Sequence, residues 1–272
     1  MYSSEDIMAE PGQYKEQFLQ ALSDFGAQIY AYLFRITNDE DLAATALFDT
    51  FKQAYRAYGR VASRSPRTQR NWLLKIATAL ASEREPKGQR LTFEMLDELI
   101  RSDPTRITQV RGLSDPERED LTWDLQQDCL TSVLTCLSKG ERQAFTLVTL
   151  TGLDQAHAAA ILDVSESAFR VRLSRASQKV SDYLAPRCSL IDPSNPCRCQ
   201  SRLGVAMAKE FVRPHSRKRS KAPSSETRAE GDVLRLYEAL PAPEPDDKLL
   251  AEIRSSVLEG AWDQVSDAKT KT

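Results

Sequence analysis

The hydrophobic and polar positions follow a helical repeat from residue 14 to residue 58. In its first stretch, apolar residues recur every three or four positions, as one buried helix face requires: Phe18, Leu19, Leu22, Phe25, Ile29, Leu33 and Phe34. Thr37-Asn38-Asp39 then predicts a turn, because Asn and Asp are natural helix caps. A second apolar run covers 42–58, and a third helix is predicted over 71–83.

The same repeat divides the remainder of the chain. Residues 84–119 are charged and interrupted by Pro and Gly, which predicts a linker with one short helix near 93–100. Helical periodicity resumes near 121 and continues to 184, and two more helices are predicted over 233–240 and 248–262. No segment alternates with a two-residue period, so the fold class is all-α. The predicted parts are a helical domain (14–83), the linker (84–119), a second helical domain (120–184) and a C-terminal extension (185–272).

The length and composition of the chain indicate how many domains it forms and in which compartment it is expected. The chain has 272 residues, of which 41% are hydrophobic and 28% charged, and a net charge of −2. These values fit a soluble protein of two small domains plus an extension and do not by themselves predict nucleic-acid binding. The sequence lacks an apolar run of about 18 residues, and its acidic start is unlike a signal peptide. We therefore expect a cytoplasmic protein with reduced thiols, and the odd number of five cysteines argues against a disulfide set.

Residues 152–180 carry the strongest local pattern. A short helix is predicted over 154–162, with one face formed by Leu153, Ala156, Ala159 and Leu162. A three-residue turn follows, and Ser165 is placed to cap a second helix. The apolar positions of that helix form one stripe, spaced four, three and four apart: Phe169, Leu173, Ala176 and Val180. Two short helices joined by a tight turn are the layout of a helix-turn-helix.

The second helix of this pair has a face suited to DNA. The residues that point away from the stripe are small or polar, with Arg170 at their edge: Ser167, Val171, Ser174 and Gln178. Basic residues lie alongside the stripe: Arg172, Arg175 and Lys179. Small outward residues let a helix enter the major groove, and flanking arginines neutralise phosphates. A helical hairpin with a solvated basic face is the alternative.

The stretch CLSKGERQAFTLVTLTGLDQAHAAAILDVSESAFRVRLSRA (136–176) resembles region 4 of bacterial sigma factors of the extracytoplasmic-function (ECF) type. The likeness includes the ending Arg172-Leu173-x-Arg175-Ala176, and Asp163 replaces the glycine usual in the turn. The resemblance implies binding to the polymerase β flap and to the minus-thirty-five element. The residues implied to face base edges are Ser165, Glu166, Ser167, Arg170, Val171 and Ser174, and those implied to face phosphates are Arg172, Arg175 and Lys179.

Residues 25–83 resemble sigma region 2. The stretch 34–58 is similar to the part that binds the polymerase β′ clamp, which implies polymerase contacts at Thr50, Phe51, Tyr55 and Arg56. The helix around 72–78 resembles the one that opens the minus-ten element, which implies roles for Trp72, Lys75 and Thr78, although packing also explains Trp72. Two departures stand out: Ala43-Ala44-Thr45-Ala46-Leu47-Phe48 replaces an acidic stretch ending in glutamine, and Ala79 replaces an asparagine. They imply weaker polymerase binding or other contacts.

Three of the five cysteines lie within the twelve residues from Cys188 to Cys199. A Cys-x-Cys pair such as Cys197 and Cys199 can aim both sulfurs at one metal, and zinc prefers four ligands. The fourth ligand is left open among Cys136, Cys129, His215 and His157, and copper(I) is an alternative metal. Redox sensing and a metal-free loop are further alternatives, and Cys129 and Cys136 also fit a role as buried core residues. The motif Asn195-Pro196-Cys197-Arg198-Cys199, preceded by Cys188, resembles that of one ECF subgroup.

The resemblance implies an ECF sigma factor that directs promoter recognition and transcription initiation in the bacterial cytoplasm. The implied partners are core RNA polymerase (β′ clamp and β flap), promoter DNA and, left open by the sequence, an anti-sigma factor. The extension is expected to regulate access to regions 2 and 4. We found no phosphate-binding glycine loop, paired catalytic carboxylates or Ser/His/Asp set, so no enzyme and no catalytic residue is predicted. Two alternatives remain: a sigma-like DNA-binding regulator that no longer supports initiation, and a metal or redox sensor acting through protein contacts.

Overall fold

A computed structural model describes residues 11–84, 91–101, 108–208 and 232–263. Within these ranges the chain forms helices and turns and no strand, apart from one isolated bridge between Cys188 and Cys197. The all-α prediction is confirmed. The helices are α1 (Lys15–Thr37), α2 (Glu40–Tyr55), α3 (Pro66–Glu83), α4 (Phe93–Arg101), α5 (Thr108–Arg111), α6 (Asp115–Thr135), α7 (Lys139–Phe145), α8 (Gln155–Ile161), α9 (Glu166–Leu184), α10 (Cys199–Ala208), α11 (Val233–Glu238) and α12 (Asp247–Leu258).

The helices belong to two compact units. Of the described residues, the first unit takes 11–84, 161–163 and 243–263, and the second takes 91–101, 108–160, 164–208 and 232–242. The chain beyond residue 185 is therefore divided, because its last helix packs within the first unit and its earlier parts within the second. None of the helices in the described ranges is long and apolar enough to cross a membrane.

The first unit is a bundle of α1, α2 and α3, joined by α12 on the side of α1 and α2. Its centre is aromatic, because the ring of Phe18 meets Phe51, Tyr55 and Tyr58 edge-on with centroid distances of 5.8, 5.1 and 5.1 Å. Such edge-to-face pairs add about 0.5–1.5 kcal/mol each beyond the burial of their area. This cluster fixes the position of the C-terminal end of α2.

The caps between α1 and α2 follow the sequence prediction. Asn38 adopts the left-handed conformation (φ 52°) that ends α1, and its amide donates to the Phe34 carbonyl at 2.7 Å. Asp39 then caps α2 by accepting a hydrogen bond from the Leu42 amide at 2.9 Å. Asn and Asp tolerate these conformations better than most residues, which is why the sequence Thr37-Asn38-Asp39 predicted the turn.

The second unit is built around α6 and α9. One core contains residues of α4, α6, α7, α9, α11 and the cysteine loop: Leu96, Leu130, Val133, Leu134, Cys136, Leu137, Phe145, Ala176, Val180, Tyr183, Leu184, Ile191, Val233, Leu236 and Tyr237. The Tyr237 hydroxyl donates to the Leu130 carbonyl at 2.9 Å, and its ring meets Phe145 edge-on at 5.2 Å. The segment predicted as a linker contributes Leu96, and α10 packs against α5 and α6 through Leu203.

Candidate functional site

The chain between α8 and α9 makes a tight turn. Asp163 takes the left-handed conformation at φ 54°, as its side chain allows. The Val164 amide donates to the Ala159 carbonyl at 3.1 Å, which closes the end of α8. Ser165 caps α9 by accepting a hydrogen bond from the Ala168 amide at 3.2 Å. The predicted helix-turn-helix backbone is therefore present.

The buried stripe of α9 is confirmed, whereas the predicted face of α8 is partly wrong. Phe169, Ala176 and Val180 are fully buried, and Leu173 packs against the core at its edge. In α8, Ala156 is exposed, and the buried residues of the helix are Ala158, Ala159 and Ile161. The error has a simple cause. Three consecutive alanines, Ala158 to Ala160, offer no difference in size or polarity by which a sequence pattern could fix the rotation of a short helix.

The outward face of α9 is open to solvent. Its exposed side chains include most of the residues predicted to face DNA: Ser165, Glu166, Ser167, Arg170, Val171, Ser174 and Arg175. Val171 is 49% exposed, one of three large apolar side chains left open among the described residues. An apolar side chain on such a face can contact a thymine methyl group, while Ser and Arg can bond to base edges. This face has the chemistry of a major-groove reading surface.

Two of the predicted phosphate contacts have partners within the second unit. The Lys179 ammonium donates to both carboxylate oxygens of Glu141, at 2.7 and 2.9 Å. The Arg172 side chain lies over Gly140, where an added Cβ would come within 3.3 Å of its Nη1 atom. These contacts tie α9 to the start of α7, so both residues position the reading helix. Arg175 and Lys179 are exposed, whereas Arg172 is half-buried.

Glu141 holds α9 to α7 through Lys179 and was not among the residues singled out from the sequence. Burial raises the pKa of its carboxyl, but hydrogen bonds from Lys179 and Ser138 outweigh burial and hold the pKa below its ordinary value. Ser138 and Glu141 form a capping box, in which the Ser138 amide donates to Glu141 at 3.0 Å. The signal was available as Ser-x-x-Glu, the pattern that begins many helices.

The residues predicted to bind polymerase lie at the C-terminal half of α2. Thr50 and Phe51 are fully buried, and the Thr50 hydroxyl donates to the Ala46 carbonyl at 2.6 Å. Tyr55 is also buried, and its hydroxyl donates to the Asp263 carboxylate at 2.7 Å. Arg56, at the end of the helix, is exposed. Three of the four therefore pack within the first unit, and Arg56 alone of the four is exposed.

The residues predicted to act on the minus-ten element lie on α3. Trp72 is half-buried, with its ring 6.5 Å from that of Tyr58, and Lys75 is exposed. Thr78 is buried, because its hydroxyl lies 2.8 Å from the Tyr32 hydroxyl and donates to the Leu74 carbonyl at 2.7 Å. Trp72, Lys75 and the exposed Ala79 are three and four residues apart, so they share one face of α3.

The cysteine loop is folded back on itself. The Cys197 amide donates to the Arg187 carbonyl at 3.0 Å, and the Ser189 amide donates to the Cys197 carbonyl at 3.1 Å, which brings Cys188 and Cys197 together. The Asn195 side chain donates to the carbonyls of Ala185 and Cys188 at 2.6 and 3.0 Å. This clamp explains the asparagine and gives the loop a fixed backbone.

The three thiols of the loop interact electrostatically with the thiol of Cys129 on α6. Burial, followed by the thiols of Cys199, Cys197 and Cys188, raises the pKa of Cys129 well above its ordinary value. Burial, with Cys188 and Cys197, raises the pKa of Cys199 to about 12. The five cysteines form no disulfide.

The other candidate ligands lie elsewhere. Cys136 belongs to the core, and its thiol contacts the Ser132 carbonyl at 3.5 Å. His157 is exposed, with Nδ1 2.7 Å from the Asp154 carboxylate, and His215 lies outside the described residues. In the part of the chain that the structure describes, no three Cys, His, Asp or Glu side chains stand in a ready metal-binding geometry. Cysteine thiolates are nevertheless the donor groups that structural zinc sites use.

Comparison with known proteins identifies one part of the chain. Residues 127–180 match the family described as Sigma-70, region 4. This stretch is therefore similar to region 4 of sigma-70 factors. The match extends from α6 to the end of the apolar stripe on α9, so the helix-turn-helix and the exposed face of α9 lie within the matched residues.

A curated relative extends the likeness beyond region 4. The chain is 27% identical over 163 residues to the ECF RNA polymerase sigma factor SigE of Mycolicibacterium smegmatis (strain ATCC 700084 / mc(2)155). The similar stretch covers 60% of this chain and 59% of the relative, so the chain spans less than two thirds of that protein. No solved structure matches the chain.

Proposed function

We propose that this chain is an ECF-type sigma factor that brings bacterial RNA polymerase to promoters and supports transcription initiation. The observation that carries the proposal is the exposed face of α9 within a region 4 domain. There Val171, Ser174 and Arg175 stand open on a helix that Asp163 and Ser165 orient. Similarity to an ECF sigma factor over 163 residues supports it.

The proposed role assigns a task to each unit. In the second unit, region 4 binds the β flap and inserts α9 into the major groove of the minus-thirty-five element. In the first unit, α2 binds the β′ clamp, with Arg56 exposed at its end, and the Trp72 and Lys75 face of α3 acts at the minus-ten element. The polymerase makes the phosphodiester bonds, so the chain needs no catalytic residue. Its place of work is the bacterial cytoplasm, where an anti-sigma factor is a further candidate partner.

The first test is association with purified core RNA polymerase, followed by binding of the assembled holoenzyme to promoter DNA. Arg175→Ala is expected to weaken DNA binding about tenfold, since a charged DNA contact is worth roughly 1–3 kcal/mol. Association with core polymerase stays unchanged, because Arg175 faces outward on α9. Arg235→Ala, which removes another exposed arginine of the second unit, is the matched control. Equal loss of DNA binding for both variants contradicts the proposal.

Promoter-dependent transcription separates this function from its nearest alternative. The alternative is a DNA-binding regulator that no longer supports initiation, and it is motivated by Ala43 to Phe48 and by Ala79. A sigma factor yields discrete transcripts with core polymerase, whereas such a regulator binds DNA without yielding any. The affinity of a DNA-binding protein falls as salt rises, because its phosphate contacts release counterions. A sensor that acts only through protein contacts would show no such salt-dependent DNA binding.

We also propose that Cys188, Cys197, Cys199 and Cys129 together bind one zinc ion. The support is the folded loop, which brings Cys188 to Cys197, and the electrostatic proximity of Cys129 to all three thiols. A metal held there would connect α6 to the loop and stabilise the second unit, as structural zinc does.

Metal analysis of the purified chain tests this second proposal. One zinc per chain is expected, lost on substitution of any of the four cysteines by serine and retained in Cys136→Ser, whose thiol lies in the core. Retention of the metal in Cys129→Ser would remove that residue from the set. If the chain holds copper in place of zinc, the identity of the metal is wrong and the proposed ligands stay the same. A metal-free chain would contradict the proposal.

A further inference from the structure

The last described part of the chain, residues 246–263, covers the side of the first unit formed by α1 and α2. Helix α12 buries Ile253 and Val257 completely. Its Leu250 side chain lies beside Gly26 of α1, where an added Cβ would sit 3.5 Å from Leu250 Cδ2. The buried positions are four residues apart, so α12 presents one narrow apolar stripe to the bundle.

Beyond α12 the chain turns back towards α2. Gly260 adopts a left-handed conformation (φ 70°), which a side chain would strain. The turn places the buried Trp262 edge-on to Phe48 and against Tyr55, with ring centroids 5.5 and 5.9 Å apart. Asp263 accepts a hydrogen bond from the Tyr55 hydroxyl at 2.7 Å and pairs with Lys15 at 3.0 Å.

This docking gives a physical reason for an unusual residue of α2. Phe48 stands where the sigma resemblance has a glutamine that helps to hold the polymerase clamp. Here the ring of Phe48 packs against Trp262 of the same chain. On the proposed function, the same side of α2 has to be reached by the β′ clamp, and it cannot contact Trp262 and the clamp at once.

We infer that residues 246–263 are an intramolecular cover that competes with RNA polymerase for the clamp-binding side of α2. The inference rests on the proposed function and adds a regulatory device to it. When the cover is docked, the apparent affinity for polymerase is reduced by the fraction of molecules in which α2 is open. Any event that lifts the cover therefore raises the affinity.

The cover has the properties of a separable element. Residues 241–246, which include Pro241, Pro243 and Pro245, form a connection without regular secondary structure before α12. A helix of 12 residues is marginal by itself in water, so α12 depends on its docking site for its structure. Because α12 and α2 belong to one chain, docking of the cover is intramolecular, so that few contacts suffice to hold it.

Polymerase affinity of the full chain tests the inference. Trp262→Ala removes the ring that packs on Phe48 and Tyr55, and Asp263→Asn weakens the two polar contacts. Trp262→Ala is expected to bind core polymerase at least about tenfold more tightly, because each tenfold corresponds to about 1.4 kcal/mol of lost docking. Asp263→Asn changes the affinity in the same direction by a smaller factor. The matched control is Leu258→Ala on the same helix, whose side chain is 59% exposed, and it leaves the affinity unchanged.

Hydrogen exchange on the wild-type chain gives a second test that does not depend on a variant folding. The amides of 249–258 are expected to exchange faster when core polymerase binds. If polymerase binds the wild-type chain while these amides stay protected, or if Trp262→Ala binds equally or more weakly, α12 is a permanent part of the bundle and the inference is wrong. If neither the wild-type chain nor Trp262→Ala binds polymerase, the proposed function itself fails.

Discussion

We expect the chain beyond residue 185 to contribute to the free energy of unfolding of the second unit. Substitutions of Tyr237 measure that contribution. Its ring is completely buried against Phe145, and its hydroxyl donates to the Leu130 carbonyl at 2.9 Å. Tyr237→Phe removes one hydrogen bond and should lower the free energy of unfolding by about 1 kcal/mol. Tyr237→Ala also removes a buried ring and should lower it by about 3–5 kcal/mol.

Urea unfolding, followed by hydrogen exchange of the α6 and α9 amides, measures these changes. With a slope of about 2 kcal/mol per molar urea, the midpoint should fall by roughly 0.5 M for Tyr237→Phe and roughly 2 M for Tyr237→Ala. Leu234→Ala on the same helix is the control, since that side chain is 38% exposed and should change little. An unchanged midpoint for Tyr237→Ala would refute the reasoning, because region 4 would then be stable without α11.

Three further predictions concern region 4. Glu141→Gln should destabilise the second unit at neutral pH. Because the folded pKa of Glu141 lies below its ordinary value of 4.5, the contribution of the carboxylate is complete above that value and is lost as the pH falls through the folded pKa. The wild-type and variant unfolding curves should therefore converge in acid, and a constant difference would contradict this. Asp163→Gly should raise stability by up to about 1 kcal/mol in thermal unfolding, because φ 54° favours glycine, and a loss would show that the side chain has another role. Val171→Ser should change which base is preferred opposite it without changing the salt dependence of binding, as measured by selection from a randomised site. An unchanged preference would place Val171 away from the bases.

Local features of the fold could be predicted from sequence because their causes are local. Asp39 and Ser165 accept hydrogen bonds from nearby backbone amides, and Asn38 and Asp163 adopt the left-handed conformation in the turns. The stripe on α9 needed only the spacing of its apolar residues. The rotation of α8 could not be predicted in the same way, because its alanines do not differ from one another.

Contacts between distant segments were beyond the reach of a sequence pattern. Helix α10 was missed because Arg202 and Gly204 obscure its few buried residues, Leu203 and Ala206. Cys129 and Cys136 are seven residues apart on one helix, so spacing could not separate the thiol beside the loop from the thiol in the core.

The packing of Trp262 on Phe48 joins residues more than 200 positions apart along the chain. Periodicity identified α12 as an amphipathic helix and left its partner undetermined. The departure at Phe48 was visible in the sequence, but its physical reason required the three-dimensional structure.

The most direct measurement of the central claim is run-off transcription of fragmented chromosomal DNA, from the genome that encodes the chain, with purified core polymerase. The account predicts discrete transcripts that require the chain, increase with Trp262→Ala and decrease with Arg175→Ala. If neither the wild-type chain nor Trp262→Ala yields a transcript while both bind DNA, the chain is a DNA-binding regulator and not an initiation factor.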